Sequence, residues 1–297
     1  MALRPGQGPS GSAAAAQGAV TEQTGPDPRA LGAWVAAVVL VVLGSDDPVV
    51  RVLALAAALL LLARGRGRHA GLRRPLVLVG AAAAGTIVLN TLLSHTGADV
   101  VVSLPGWLPG VGGPLTAEAL LFGIDIALGL SACLVAALTL ARLVEPEALA
   151  GALPGPLRHT GAALGAALTL APRLAQGVTA IREAQAMRGW RPRGLRSWAA
   201  VVVPAVLTAI EGSLQLAEAM EARGYGAGRR SAYRERHWGV GDTVLGCCAV
   251  LALGLFAAAA LTGGNPGWYP YPTPTAPAAS PLLLAACAVL VLPAAAA

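Results

Sequence analysis

The sequence predicts an all-α integral membrane protein with about six transmembrane helices, of which the first two are short, and with amphipathic helices on the cytoplasmic side. Hydrophobic residues make up 56% of the chain and charged residues only 12%, against roughly 25% charged residues in soluble domains. A soluble fold could not bury this much apolar surface, so the bilayer must act as solvent. The apolar runs cover residues 30–43, 49–63, 76–93, 117–141, 243–262 and 281–297.

The chain divides into an N-terminal tail and one membrane domain. Residues 1–29 are rich in Gly, Pro, Ala and Gln without periodicity, which is typical of a disordered segment. Residues 30–297 form the predicted transmembrane domain. Its first two runs are shorter than the ~20 residues of a typical span, and they form either a tight tilted hairpin around residues 46–48 or a partly re-entrant pair. The other four runs are predicted to span the membrane.

The arginines predict the orientation. All 21 basic residues are arginine: five lie in the connection 64–74 and thirteen in 142–238. The connections 44–48, 94–116 and 263–280 contain none. The positive-inside rule therefore places the first two connections in the cytoplasm and the other three outside. Six spans then place both termini in the cytoplasm, in a multi-pass protein of the cell membrane.

The Pro- and Gly-rich external segments 103–114 and 263–281 are predicted to be ordered loops without helix.

Three polar residues at or within the predicted spans, Asn90, Glu118 and Asp125, are candidates for a function in the membrane. Glu118 and Asp125 are seven residues apart and lie on nearly one face of the fourth span. Glu118 follows Thr116 at a predicted helix start, where a carboxylate complements the helix dipole. Asp125 has no assigned role, and Asn90 would either hydrogen-bond between spans or pack.

The cytoplasmic block 142–238 is too apolar for a simple loop, and we predict three helices in it, at about 145–168, 171–188 and 197–223. Pro172 suits the first turn of the second helix. Gly189 and Gly224 suit the left-handed position just after a helix end.

Two of these helices end in the same way. The sequence Arg188-Gly189-Trp190 closes one, and Ala222-Arg223-Gly224-Tyr225 closes the other, with the two arginines 35 residues apart. A single such arginine could merely offset the helix dipole, by roughly 0.3–1 kcal/mol. Two copies on the predicted cytoplasmic face favour docking, in which each arginine meets an acidic or carbonyl-rich groove and the aromatic residue anchors in a partner.

These motifs resemble a known family. The segments Asn90–Gly97 and Leu115–Leu120, Gly123 and the two Arg-Gly endings are similar to those of the transmembrane T component of energy-coupling factor (ECF) transporters. The resemblance covers about residues 30–262. The family carries two Ala-Arg-Gly signatures; here the second matches fully, and the first has Met187 in place of alanine.

The resemblance implies a non-catalytic subunit. Two ATP-binding cassette ATPases, which hold ATP and Mg²⁺, would grip the ends of the coupling helices, one at Arg188 and one at Arg223. A small membrane S component would capture a vitamin or a transition-metal ion and contact the apolar faces of 145–223. This chain itself would hold no cofactor or metal and bind no nucleic acid. Without lysine it has no P-loop, so ATP must be hydrolysed elsewhere.

Two other classes remain open. A self-sufficient secondary transporter or channel would use Glu118 and Asp125 in its pathway, but the spans show no inverted repeat. An intramembrane enzyme would need converging nucleophile and base or a metal cluster. The four cysteines and four histidines are scattered, and His95 is the histidine near a span.

Overall fold

The computed structural model describes residues 26–65, 71–94, 97–103, 113–152, 158–191, 194–224, 238–265, 267–271, 276–277 and 279–296. Its helices are α1 Pro28–Gly44, α2 Pro48–Arg64, α3 Arg73–Leu93, α4 Ala117–Leu143, α5 Pro146–Gly151, α6 Arg158–Met187, α7 Gly194–Ser197, α8 Ala199–Ala222, α9 Val240–Leu261 and α10 Pro281–Ala296. The strands are β1 Val100–Ser103 and β2 Pro114–Thr116. Most of the predicted tail lies outside the described residues, and α1 already begins at Pro28, with Asp27 as its N-cap.

The helices confirm the predicted all-α membrane fold. Among the described residues, α3, α4, α8 and α9 are long and apolar enough to cross a membrane. With 17 residues each, α1 and α2 are as short as predicted. The helix α10 has 16 residues, about 24 Å at 1.5 Å per residue, and its role as a span stays a prediction. The cytoplasmic assignment of α8 stays a prediction, because its length and hydropathy would also suit a span.

The core lies where α1, α2, α4, α9 and α10 meet. Trp34 of α1 is fully buried, and its indole N–H donates to the backbone oxygen of Leu290 at 3.2 Å. Alanines such as Ala57 and Ala136 line the contacts, and small side chains allow membrane helices to approach closely. The turn between α1 and α2 is tight, yet α2 packs mainly on α4 and α10. The two helices are therefore not a closed hairpin.

The predicted external connections lie together at one end of the bundle, the arginine-poor end. Asn265, after α9, donates its side-chain N–H to the backbone oxygen of Gly44 at 2.8 Å. The hydroxyls of Ser94 and Tyr271 are 3.0 Å apart. These bonds join the ends of α1, α3 and α9, as alternating spans require.

The opposite, arginine-rich end gathers the remaining connections. Arg142 donates to the backbone oxygen of Gly71 at 3.1 Å. The backbone N–H of Asp27 donates to Asp242 at 2.6 Å, which ties the start of α1 to the start of α9. The alternation of the helices thus agrees with the arginine pattern. That this end faces the cytoplasm stays a prediction.

Labelling of single cysteines tests this orientation. In a cysteine-free background, Ser231→Cys should react with an impermeant maleimide only from the cytoplasm, and Ser280→Cys only from outside. The reason is that the arginine pattern predicts a cytoplasmic connection at position 231 and an external one at position 280. Intact cells and inverted vesicles are labelled in parallel, and the reverse pattern of reactivity would overturn the predicted orientation. Ser231 lies outside the described residues, while Ser280 precedes α10.

The described residues of the predicted loop 103–114 contain no helix, as predicted, but strand residues form its two ends. Val100–Ser103 and Pro114–Thr116 pair as antiparallel strands, with Ser103 opposite Pro114, and residues 104–112 lie outside the described residues. Three consecutive valines favour extended backbone, a signal that the Pro and Gly content obscured. The described parts of 263–280 contain no helix, as predicted.

The predicted break at Pro172 is wrong. The structure has a short helix α5 and then one continuous helix α6 that contains Pro172, where we predicted 145–168 followed by 171–188. Proline removes one backbone N–H from a helix. Pro172 is exposed, so its ring takes up no space in a packed core, and the helix continues through it. The third helix, predicted at 197–223, matches α8 closely.

Candidate docking helices and intramembrane polar contacts

In the part of the chain that the structure describes, the main contacts of α6 are with α5 and α8, and the main contacts of α8 are with α6. Leu174, Val178, Ile181 and Gln185 of α6 are half-buried, while most of their neighbours are exposed. This one-sided burial agrees with the amphipathic helices predicted for the cytoplasmic side. On α8 a set of large apolar side chains stays at least half exposed: Val202, Val203, Val206, Leu207, Ile210 and Leu214.

The glycines that end these helices adopt the predicted left-handed backbone. Gly189 has φ +84° and Gly224 has φ +73°. After Gly189, the N–H of Trp190 donates to the oxygen of Gln185 at 2.9 Å, and the N–H of Gly189 donates to Ala186 at 3.0 Å. This is the Schellman closure. This closure sets the direction in which the backbone leaves the helix directly after Arg188.

The two arginines are exposed cations at distant points. Among the described residues, neither the Arg188 nor the Arg223 side chain has a hydrogen bond or ion pair, and both are exposed. The Gln185 amide donates to the oxygen of Ala200 at 3.2 Å, so Arg188 lies near the start of α8. Arg223 lies after the end of that helix, which has 24 residues. At 1.5 Å per residue this separates the two by roughly 35 Å.

The aromatic residues after the two glycines differ in what the structure shows. Trp190 is half-buried and packs inside the chain, where its indole N–H donates to the oxygen of Ser197 at 2.8 Å. This internal contact argues against Trp190 as a free anchor for a partner. Ala222 is the last residue of α8. Tyr225 lies outside the described residues.

The two family-like segments, Asn90–Gly97 and Leu115–Leu120, meet each other at the start of α4. Glu118, in the first turn of α4, is fully buried, and one carboxylate oxygen accepts the backbone N–H groups of Ala98 and Asp99, each at 3.0 Å. Thr116 is the N-cap of α4 and accepts from Ala119 at 3.3 Å. The predicted helix start is therefore correct. Through its two hydrogen bonds, Glu118 also holds the segment before β1 against the start of α4.

Gly97 makes room for this carboxylate. It has φ +146°, and a Cβ atom there would lie 2.5 Å from Glu118 Oε2 and 2.7 Å from the Thr116 hydroxyl. Gly97→Ala should therefore destabilise the protein by about 1–3 kcal/mol, through backbone strain and displacement of Glu118. Thermal unfolding in nanodiscs measures this. Gly80→Ala, within α3 and with open space around it, is the control and should be neutral or slightly stabilising; equal stability of both variants would contradict this role of Gly97.

Asn90 lies where α3 and α4 approach each other. Its Cβ is 3.2 Å from the position that a Cβ of Gly123 would occupy. Its side-chain oxygen is buried without a hydrogen-bond partner among the described residues. The structure thus places Asn90 in a helix contact, and it shows no bond that would assign Asn90 more than packing.

Asp125 forms an ion pair that the sequence pattern did not predict. Its carboxylate accepts from the guanidinium of Arg51 in α2, and Arg51 also reaches Asp46 at 3.2 Å. The side chains of Arg51 and Asp125 are only 11% and 3% exposed. An arginine within the apolar run 49–63 was the available signal, because a charge in a span is expected to be paired. Its partner, 74 residues away, could not be identified from local sequence.

Within the part of the chain that the structure describes, no three His, Cys, Asp or Glu side chains cluster as metal ligands. Asp125 and Glu118 are each bound to groups that hold helices or strands in place. Glu118 binds the segment just before β1, whereas Asp125 binds Arg51 of α2.

Comparison with known proteins gives two matches. The family model for CbiQ, described as a cobalt transport protein, matches residues 23–233. The energy-coupling factor transporter transmembrane protein EcfT of Bacillus selenitireducens is 34% identical over 115 residues, which cover 36% of this chain and 40% of the relative. The chain thus spans about two fifths of the length of this curated relative. Both matches confirm the resemblance drawn from the sequence motifs, and because the family model covers most of the chain, the protein belongs to the CbiQ cobalt transport protein family.

Proposed function

We propose that this chain is the transmembrane T component of an ECF-type importer and transmits ATPase motion to a separate substrate-capturing S component. The observation that carries the proposal is a pair of exposed arginines, Arg188 and Arg223, which have no side-chain partner among the described residues and lie at opposite ends of the α6–α8 pair. The family match and the name of the curated relative support it.

The spacing of the arginines supports two separate ATPase contacts. A separation of roughly 35 Å exceeds what one side-chain groove can bridge, so each arginine is proposed to enter a groove on its own ATP-binding cassette subunit. Guanidinium groups suit such grooves, because they donate several hydrogen bonds in a fixed geometry to carboxylate or carbonyl oxygens. ATP and Mg²⁺ would be bound by these partner subunits. This chain is proposed to be non-catalytic.

The exposed apolar face of α8 is the proposed surface for the S component. Side chains such as Val203, Leu207 and Leu214 are more than half exposed. Contiguous apolar surface of this kind marks sites of protein or membrane contact. The cargo is proposed to be a vitamin or a transition-metal ion, and its identity would be determined by the S component.

A pull-down of the tagged chain from its native membrane, followed by mass spectrometry, tests the proposal. We expect two ATP-binding cassette ATPase subunits and one small hydrophobic membrane protein per chain. Recovery of the chain alone, under conditions that preserve a known complex of this type, would overturn it. The alternative of an autonomous transporter would then gain support.

A further inference from the structure

The two docking helices meet at an elbow that is closed by four side chains, which we call the elbow clasp: Arg182, Gln185, Trp190 and Trp198. The rings of Trp190 and Trp198 meet edge to face, with centroids 6.0 Å apart and an interplanar angle of 83°. The guanidinium carbon of Arg182 lies 5.2 Å from the centre of the Trp198 ring. Gln185 donates to the oxygen of Ala200 at 3.2 Å. The clasp thus joins the last turns of α6 to the first turn of α8.

The contacts of the clasp are directional. The Trp190 indole N–H donates to the oxygen of Ser197 at 2.8 Å, and edge-to-face rings and a cation over a ring each favour a particular geometry. The backbone turns between the helices at Gly189 and Gly194, which have positive φ values of +84° and +72°, a conformation that glycine adopts without strain. A joint with this many oriented contacts resists rotation of one helix against the other.

We propose that the elbow clasp is a positioning joint that fixes the angle between the two docking helices and carries displacement of the Arg188 end into α8. The inference rests on the proposed function, because it needs an ATPase that moves Arg188. Arg188 lies between Gln185 and Trp190 in sequence. A force on Arg188 therefore reaches the clasp within one helical turn.

Trp190 and Trp198 are positioning residues in this proposal. A Trp190 that anchored in an ATPase pocket would have to leave Ser197 and Trp198, and so would open the elbow on docking. If Trp190 instead stays in the clasp, Arg188 alone makes the contact with the ATPase. The two roles give opposite results for ATPase recovery by Trp190→Ala.

The test uses spin labels on the full chain in nanodiscs, at Gln176→Cys on α6 and Ser213→Cys on α8, with the native cysteines replaced. Both sites are exposed. The distance distribution is measured by pulsed electron paramagnetic resonance for the isolated chain and for the complex with and without ATP. The variants are Trp190→Ala, Trp198→Ala and the conservative Trp198→Phe. Trp238→Ala, another exposed tryptophan outside the clasp, is the control.

We expect a narrow distribution for the parent and control chains and at least a twofold broader one for Trp190→Ala and Trp198→Ala. Trp198→Phe should restore most of the narrow width, since it keeps an aromatic ring. In the complex, both alanine variants should retain the ATPases in a pull-down but lose the ATP-dependent shift in distance. An unchanged width, or an unchanged ATP-dependent shift, would overturn the clasp.

Loss of the ATPases from Trp190→Ala with a narrow width would make Trp190 an anchor and would also overturn the proposal. Failure of the parent chain to recover any ATPase would instead refute the proposed function. The width measured on the isolated chain would still decide whether the clasp holds the elbow, so the two failures are distinguishable.

Discussion

Replacement of both Arg188 and Arg223 by alanine is expected to abolish the association with the ATPase subunits while the chain still inserts into the membrane. Loss of one partner of a buried, charged hydrogen bond typically costs about 2–5 kcal/mol, which is roughly 30-fold to more than 1,000-fold in affinity. The two sites lie roughly 35 Å apart, so their effects should add. The binding free energy lost at both sites together is more than most protein complexes can lose and still remain associated.

The measurement is co-purification of the ATPases with the tagged chain, compared between single and double variants. Arg173→Ala removes an exposed arginine from the same helix α6 and should leave association unchanged. Arginine-to-lysine changes at positions 188 and 223 should give intermediate binding, because lysine keeps the charge but not the planar donor fork. Undiminished recovery with the double alanine variant would contradict docking by these arginines.

Replacement of Arg51 by methionine is expected to destabilise the folded protein by about 3–5 kcal/mol, because it leaves Asp125 buried without its cation. The Asp125 side chain is only 3% exposed, so water cannot take the place of the guanidinium. The measurement is thermal unfolding in nanodiscs of fixed lipid composition.

The double variant Arg51→Met with Asp125→Leu is the matched control. It removes the charge on both sides, and replacing a buried ion pair by apolar side chains is often neutral or stabilising. Asp46 would also lose its contact, but its side chain is 71% exposed and remains solvated. Should the double variant be as unstable as Arg51→Met alone, the ion pair would not be the cause of the loss.

Features that depend on local sequence could be predicted. Gly189 and Gly224 take the left-handed conformation. This could be predicted because a few neighbouring residues determine a helix ending of the Arg-Gly type. Thr116 caps α4 for the same reason. The half-buried face of α6 follows from the 3.6-residue period.

Contacts between distant segments could not be predicted. Arg51 and Asp125 are 74 residues apart, and their pairing depends on the packing of α2 against α4, which the apolar runs do not specify. The internal role of Trp190 depends in the same way on the position of Trp198. The helix start predicted at Pro172 is wrong because proline is common in the first turn of a helix but is also tolerated inside one.

Photo-crosslinking from the two helix ends tests the central claim most directly. A photoreactive residue is placed at Met187, which is 84% exposed, or at Glu221, which is also exposed, and each lies near one of the two arginines. Val88, exposed on α3, serves as the control position. We expect both helix-end positions, but not Val88, to cross-link to ATP-binding cassette ATPases in the native membrane. Cross-links to lipid alone, or to the ATPases equally from all three positions, would contradict docking at Arg188 and Arg223.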